Sequence, residues 1–317
     1  MTPTPVPAGV RCRERSENMK PILNITHNDM DGAGSAVMVQ RALGVENVAT
    51  ERVGYDELDD ITREALGHLG AGLVDRVIFT DIAPRKWALD RLEGSQIKAR
   101  VSIFDHHKNN DWAEHSQNTT IPGMYDENAC GTMLACVNLI GMDVNANELR
   151  LARLIDVYDR WRLDRPDRPQ SERLQAYFSL VGFGRFVETM RARCDLRFDW
   201  HESGLPLTDA EVEMLDILDE KDGAYIKSRL AKAEMLTDDD GRKYAWTVAS
   251  RMTSKIGSAL ASMDGAEYGA IWNPEYGKVE LRSVEGGANV GQIAKARGGG
   301  GHDRAAGYII GTLALPW

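Results

Sequence analysis

His27, Asp29 and Asp31 stand at alternate positions directly after the apolar run Ile22-Leu23-Asn24-Ile25-Thr26. Asp81 closes a second apolar run, Val77-Ile78-Phe79-Thr80, and Asp105-His106-His107 closes a third, Val101-Ser102-Ile103-Phe104. A lone Asp after a strand is an ordinary turn or helix cap, but three clusters of carboxylates and imidazoles at strand ends are the makings of a divalent-metal site. On an extended backbone, residues two apart face the same side, so His27, Asp29 and Asp31 are expected to converge. Gly32 and Gly34 would let the chain turn sharply into the next helix. Carboxylates packed together without a cation cannot all ionise, and no Lys lies within the three motifs. A pair of divalent ions resolves that repulsion. It also supports hydrolysis at phosphorus, by polarising a phosphoryl oxygen and acidifying water. The mixed donor set suits Mn²⁺, with Mg²⁺, Co²⁺ and Zn²⁺ as alternatives.

A further ligand is sought in Leu154-Ile155-Asp156-Val157-Tyr158-Asp159-Arg160-Trp161. Asp156 and Asp159 share a helix face. Asp156, flanked by apolar residues, is preferred, and Asp159 is read as a salt-bridge partner of Arg160. Near the C-terminus, Gly298-Gly299-Gly300-Gly301-His302-Asp303-Arg304-Ala305-Ala306-Gly307 offers consecutive glycines whose N–H groups can turn toward an anion, with His302 as an added donor. Arg282, before Ser283 at the end of an apolar run, carries a guanidinium suited to phosphate. His68, His115 and His201 read as surface residues, and the scattered tryptophans, Trp161 among them, as core or edge packing rather than a base-stacking platform.

Short apolar strands alternating with helices must position these groups. Strand, helix, strand at this spacing predicts an α/β fold: an N-terminal doubly wound, mainly parallel sheet with helices on both faces. Ligands of such sheets sit beyond the carboxyl ends of the strands, where all three clusters fall. Helices are expected from Gly34 to Leu43, from a capping pair Asn145/Glu148 through Trp161, and from a second pair Thr208/Glu211 to about Met235. Arg162 to Arg173, with Pro166 and Pro169, reads as an exposed loop. Strands at Tyr244–Ser250, Tyr268–Asn273, Lys278–Ser283 and Gly307–Gly311, with helices at Ser254–Met263 and Val290–Arg297, make a smaller C-terminal α/β domain. The expected division is a disordered lead-in over residues 1–18, a metal-binding catalytic domain over 19–205, a helical connector over 206–238 and a substrate-binding domain over 239–317.

With 317 residues, 43% of them hydrophobic, the chain can bury two cores. No run approaches the ~18 apolar residues of a membrane helix, and the N-terminus lacks the apolar block of a secretory signal. The net charge of −10 argues against a long nonspecific grip on duplex DNA. Cys12, Cys130, Cys136 and Cys194 have no paired-ligand spacing and fit a reducing cytoplasm.

These motifs resemble those of the DHH superfamily of phosphoesterases. Asp105-His106-His107 matches the triplet that names the family, His27-Asn28-Asp29-Met30-Asp31 its first motif and Asp81 its second, while Gly298 to Gly307 matches the signature of its associated C-terminal domain. The resemblance runs from about residue 20 to 314. It implies two divalent ions, usually manganese: one held by His27, Asp29 and Asp81, the other by Asp31, Asp81, His106 and Asp156, with Asp81 bridging. The segment from Asp156 to Trp161 departs from the family's Gly-x-x-x-Asp-Thr-Gly form, so the choice between Asp156 and Asp159 stays open. His107 and Asp105 are the implied catalytic pair. Arg282, Ser283, Gly299, Gly300, Gly301 and His302 are the implied substrate contacts. The implied activity is hydrolysis of short oligonucleotides, nano-RNA, to 5′-mononucleotides. Alternatives are a 3′-phosphoadenosine 5′-phosphate phosphatase, a cyclic or linear dinucleotide phosphodiesterase, or a non-catalytic nucleotide-binding module. Expected partners are short single-stranded RNA or DNA or a dinucleotide, without a membrane, and a homodimer is compatible with this reading.

Overall fold

The computed structural model describes residues 21–310. The expectations for residues 1–18, for Cys12 and for the far end of the last strand lie outside the described residues. The chain divides into two compact units, Met1–Glu211 and Val212–Trp317.

The first unit runs β1 (Ile22–His27), α1 (Met30–Leu43), β2 (Val48–Val53), α2 (Leu58–Gly70), β3 (Arg76–Thr80), α3 (Lys86–Glu93), β4 (Val101–Asp105), α4 (Asp111–His115), β5 (Gly123–Tyr125), α5 (Gly131–Ala135), α6 (Ala146–Asp159) and α7 (Arg168–Arg193). Its five strands are all parallel, in the order β2-β1-β3-β4-β5. Ile, Val, Phe and Thr dominate β1, β3 and β4 because both faces are covered. On one face Ile25, Val77, Phe79, Val101 and Ile103 pack against Leu66 and Leu69 of α2 and Leu89 and Leu92 of α3. On the other, Ile78 and Phe104 meet Val39 of α1 and Leu134 of α5. Each large side chain buried in this way contributes about 1.5–3 kcal/mol.

Two local departures from the sequence reading matter for the site. Helix α1 begins at Met30 rather than Gly34, because Asp29 caps it by accepting from the Gly32 N–H at 2.9 Å. The segment expected as an exposed loop becomes helical at Arg168. There Pro169 sits in the first turn, where its missing N–H costs nothing. Arg168 is buried, donating to the Val157 and Tyr158 carbonyls with its guanidinium over the Trp161 ring. Helix α7 is itself two helical stretches joined at Gly182 (φ 74°). The Asn145/Glu148 capping box that opens α6 is present as expected.

The second unit comprises α8 (Asp209–Leu230), which starts just before the unit boundary, β6 (Glu234–Thr237), β7 (Lys243–Val248), α9 (Thr253–Ala261), β8 (Tyr268–Asn273), β9 (Lys278–Arg282), α10 (Val290–Ala296), β10 (Gly300–His302) and β11 (Ala305–Ile309). The helix expected to reach Met235 ends at Leu230, and Met235 lies in β6. The sheet order is β10-β11-β9-β8-β7-β6, with only the β7–β8 pair parallel. The molecule is thus α/β, with a parallel sheet in one unit and a mixed sheet in the other.

Candidate metal centre

The order β2-β1-β3 places a topological switch beside β1, and the clusters gather at the carboxyl ends of β1, β3 and β4. His27 is the last residue of β1, Asp29 the cap of α1, and Asp31 lies in the first turn of α1. These three therefore approach one another through a strand end, a cap and a helical turn, not through the extended alternation expected. Gly32 makes this route passable: a Cβ there would lie 2.0 Å from the His27 carbonyl oxygen. Asp81 follows β3 with φ 58°, a left-handed conformation that Asp tolerates better than most residues. Gly131 packs against it so closely that a Cβ would meet the Asp81 Cβ at 2.6 Å.

The side chains form overlapping groups. His27 Nδ1 lies 2.7 Å from Asp29 Oδ2 and 3.9 Å from Asp81 Oδ2. His106 Nε2 lies 3.3 Å from Asp81 Oδ1, 3.6 Å from Asp31 Oδ2 and 3.3 Å from Asp159 Oδ2. The two oxygens of Asp81 thus face different groups. Asp31 is buried, and its carboxylate accepts from the Gly131 and Thr132 N–H groups at 2.6 and 2.7 Å. Asp105 accepts from the His106 N–H at 2.7 Å, the His107 N–H at 3.2 Å, His107 Nδ1 at 2.8 Å and the Asn110 side chain.

Asp156, the preferred further ligand, belongs to none of these groups among the described residues. Asp156 accepts from the Cys130 N–H at 2.9 Å and pairs with Arg160 at 3.5 Å, so it fixes the residue ahead of α5 and takes the salt bridge expected of Asp159. Asp159, the last residue of α6, is the one that joins Asp31 and His106. The neighbouring Arg160 concealed this in the sequence, because adjacent helical residues point in different directions. Tyr55, in the loop after β2, was not singled out either. Its ring stands 5.3 Å from that of His27 and 6.3 Å from that of His107, edge-on to the latter.

Whether cations suit these residues is decided by their unmet bonding capacity. Both Asp81 oxygens and His106 Nε2 are buried without a hydrogen-bond partner, a costly state unless something else binds them. Burial, with Asp31 and Asp29 nearby, holds the Asp81 carboxyl well above the usual range. Burial and the same two neighbours push Asp159 up to about 8. Burial lowers His106, while His107 rises because its hydrogen bond to Asp105 and that residue's charge outweigh burial. Burial and the charges of Asp105 and Asp81 push the Tyr55 hydroxyl up to about 12. Oxygen and imidazole donors in three overlapping groups, with acids that resist ionisation when left alone, fit divalent ions.

The substrate contacts expected in the second unit are more engaged than the sequence suggested. Gly300, Gly301 and His302 form β10, paired with β11, rather than a free cradle, and the Gly299 N–H donates to the Ala294 carbonyl at 2.9 Å. The glycines serve strand approach: a Cβ on Gly299 would lie 2.1 Å from the Gly307 oxygen. Arg282 ends β9 and donates to Ser254 Oγ at 3.2 Å, while Ser283 Oγ donates to the Val284 carbonyl at 3.3 Å. His302 is exposed.

No protein-family model matches the chain. It is 25% identical to oligoribonuclease NrnB of Bacillus subtilis (strain 168), over 90% of this chain and 72% of that protein. Among solved structures, the DHH domain of a member of a family of ribosomal proteins superposes with a TM-score of 0.52 at 15% identity, covering 91% of this chain and 82% of that one. A pGpG-specific phosphodiesterase from Vibrio cholerae superposes with a TM-score of 0.50 at 14% identity, covering 92% and 93%. These two show a common fold. Motifs, curated relative and fold therefore agree that the chain resembles the DHH phosphoesterases along most of its length.

Proposed function

We propose that the protein is a divalent-metal-dependent phosphodiesterase that hydrolyses short oligoribonucleotides to 5′-mononucleotides. The observation that carries this reading is Asp81, buried with no hydrogen-bond partner at either oxygen, one facing His27 and the other His106. In this reading His27, Asp29 and Asp81 hold one ion, and Asp31, Asp81, His106 and Asp159 hold the second. Mn²⁺ suits the donors best. When bound, such ions supply charge compensation for the phosphoryl group and acidify water.

The chain's own residues do the rest. Asp105 fixes the His107 ring through Nδ1, which leaves Nε2 for the substrate. As a water oxygen bonds to phosphorus and releases its proton to solvent, the P–O3′ bond breaks and the leaving O3′ takes a proton from the His107 imidazolium at Nε2. Asp105 is spent on holding His106 and His107, so its role is to position rather than to react. Arg282, Ser283, Gly299, Gly300, Gly301 and His302 are proposed as nucleotide contacts of the second unit. The match to an oligoribonuclease supports the substrate class, as does the net charge of −10, which disfavours long polyanions.

The test is a ranking of kcat/KM with Mn²⁺ across diribonucleotides, five- and twenty-residue RNA, 3′-phosphoadenosine 5′-phosphate and cyclic dinucleotides. The short linear RNAs are expected to lead. His107→Ala should lower kcat by about 10²- to 10⁴-fold while metal affinity holds. A lead for the phosphoadenosine or a cyclic dinucleotide would overturn the substrate class.

A further inference from the structure

We propose that Tyr55 is a substrate contact whose hydroxyl donates a hydrogen bond to a non-bridging oxygen of the phosphate under attack. The proposal rests on the phosphodiesterase reading above and adds to it a residue that lies outside the motifs.

The position is built. Tyr55 lies just past the end of β2, the strand beside β1, so its loop opens at the same edge of the sheet as the clusters. The loop is tied down: Arg85 donates from Nη2 to the Tyr55 carbonyl at 3.3 Å and approaches Asp59 at 3.6 Å. Between His27 at 5.3 Å and His107 at 6.3 Å, ring centre to ring centre, the phenol spans the two ends of the cluster. Yet the residue is 43% exposed, so one side of it remains open to a ligand.

What the hydroxyl does is the deciding point. Among the described residues no group is hydrogen-bonded to it, although the carboxylates of Asp105, Asp81, Asp29 and Asp159 all act on it electrostatically. A phenol needed only to buttress the two imidazoles could be a phenylalanine. A neutral donor beside acids and imidazoles supplies what the metal ligands cannot, an O–H directed at the negative charge that grows on the phosphoryl oxygens during attack.

Tyr55→Phe and Tyr55→Leu are to be assayed in the full chain with Mn²⁺. The probes are 5′-phosphorylated diadenylate and bis(4-nitrophenyl) phosphate, whose leaving group needs no proton. Tyr55→Phe keeps the ring packing and is expected to lower kcat about 10- to 100-fold on both diesters, below the ~10²- to 10³-fold lost with an enclosed oxyanion donor because this one is partly exposed. KM should change by less than about threefold, and Mn²⁺ affinity by calorimetry should not change. Tyr55→Leu should add a loss of metal affinity through the loosened His27. If wild-type protein cleaves neither diester, the phosphodiesterase reading itself falls. If wild type cleaves and Tyr55→Phe keeps its full kcat, or loses rate only in step with Mn²⁺ affinity, Tyr55 is packing and the proposal is overturned.

Discussion

Asp156 and Asp159 show what three residues along a helix decide. Asp156 is satisfied by Cys130 and Arg160, whereas Asp159 shares His106 with Asp31 and Asp81. Asp159→Ala should therefore weaken Mn²⁺ binding about tenfold or more and lower kcat with it. Asp156→Ala should leave Mn²⁺ affinity within about threefold and cost about 1–2 kcal/mol of stability, because the Cys130 N–H loses its acceptor. Calorimetric titration beside urea denaturation separates the two, and equal losses of affinity would end the distinction. The gathering of His27, Asp29, Asp31, Asp81, His106 and His107 was legible because carboxylates and imidazoles clustered at strand ends repel unless something binds them. Asp159 and Tyr55 were not: one has a basic neighbour that explains it away, and the other reaches the cluster through a loop.

Strand ends were the most readable part of the elements. Tyr268–Asn273 matches β8 residue for residue, and the parallel pairing follows from the strand, helix, strand spacing. Helix starts were harder, since Asp29 is at once a cap and a candidate ligand, and Pro169 at the start of α7 looks like a breaker in the sequence. Two glycines make this concrete. Gly32→Ala drives a methyl against the His27 carbonyl and should cost about 1–3 kcal/mol or more, with weakened metal binding. Gly67→Ala, exposed in α2 with nothing within 4 Å of its Cβ, should instead stabilise by about 0.5–1 kcal/mol. Urea midpoints of opposite sign are the expected result.

For the molecule as a whole, the gathered acids set a dependence of stability on pH that metal should cancel. The folded-state pKa of Asp159 is raised to about 8, and those of Asp81 and His107 are raised as well. A raised group stabilises the fold while protonated, and that stability is lost as pH climbs through the folded value. His106, lowered by burial, works in the opposite sense only below its ordinary range. From pH 6.5 to 8.5 in chelator the Tm should thus fall by about 5 °C, taking ~2 kcal/mol and roughly 2–4 °C per kcal/mol. Saturating Mn²⁺ should abolish the fall. A chelated protein whose Tm is flat over this range would remove the electrostatic case for the centre.

The centre draws on residues from His27 to Asp159, carried by the ends of β1, β3 and β4, the start of α1 and the end of α6. A chain still being made on the ribosome therefore holds an incomplete set of ligands until the stretch reaching Asp159 has emerged. Until α6 docks, Asp31 and His106 lack Asp159, and any ion captured early is free to leave. Under the proposed function, hydrolysis would then wait for α6 to bring Asp159 to the strand ends.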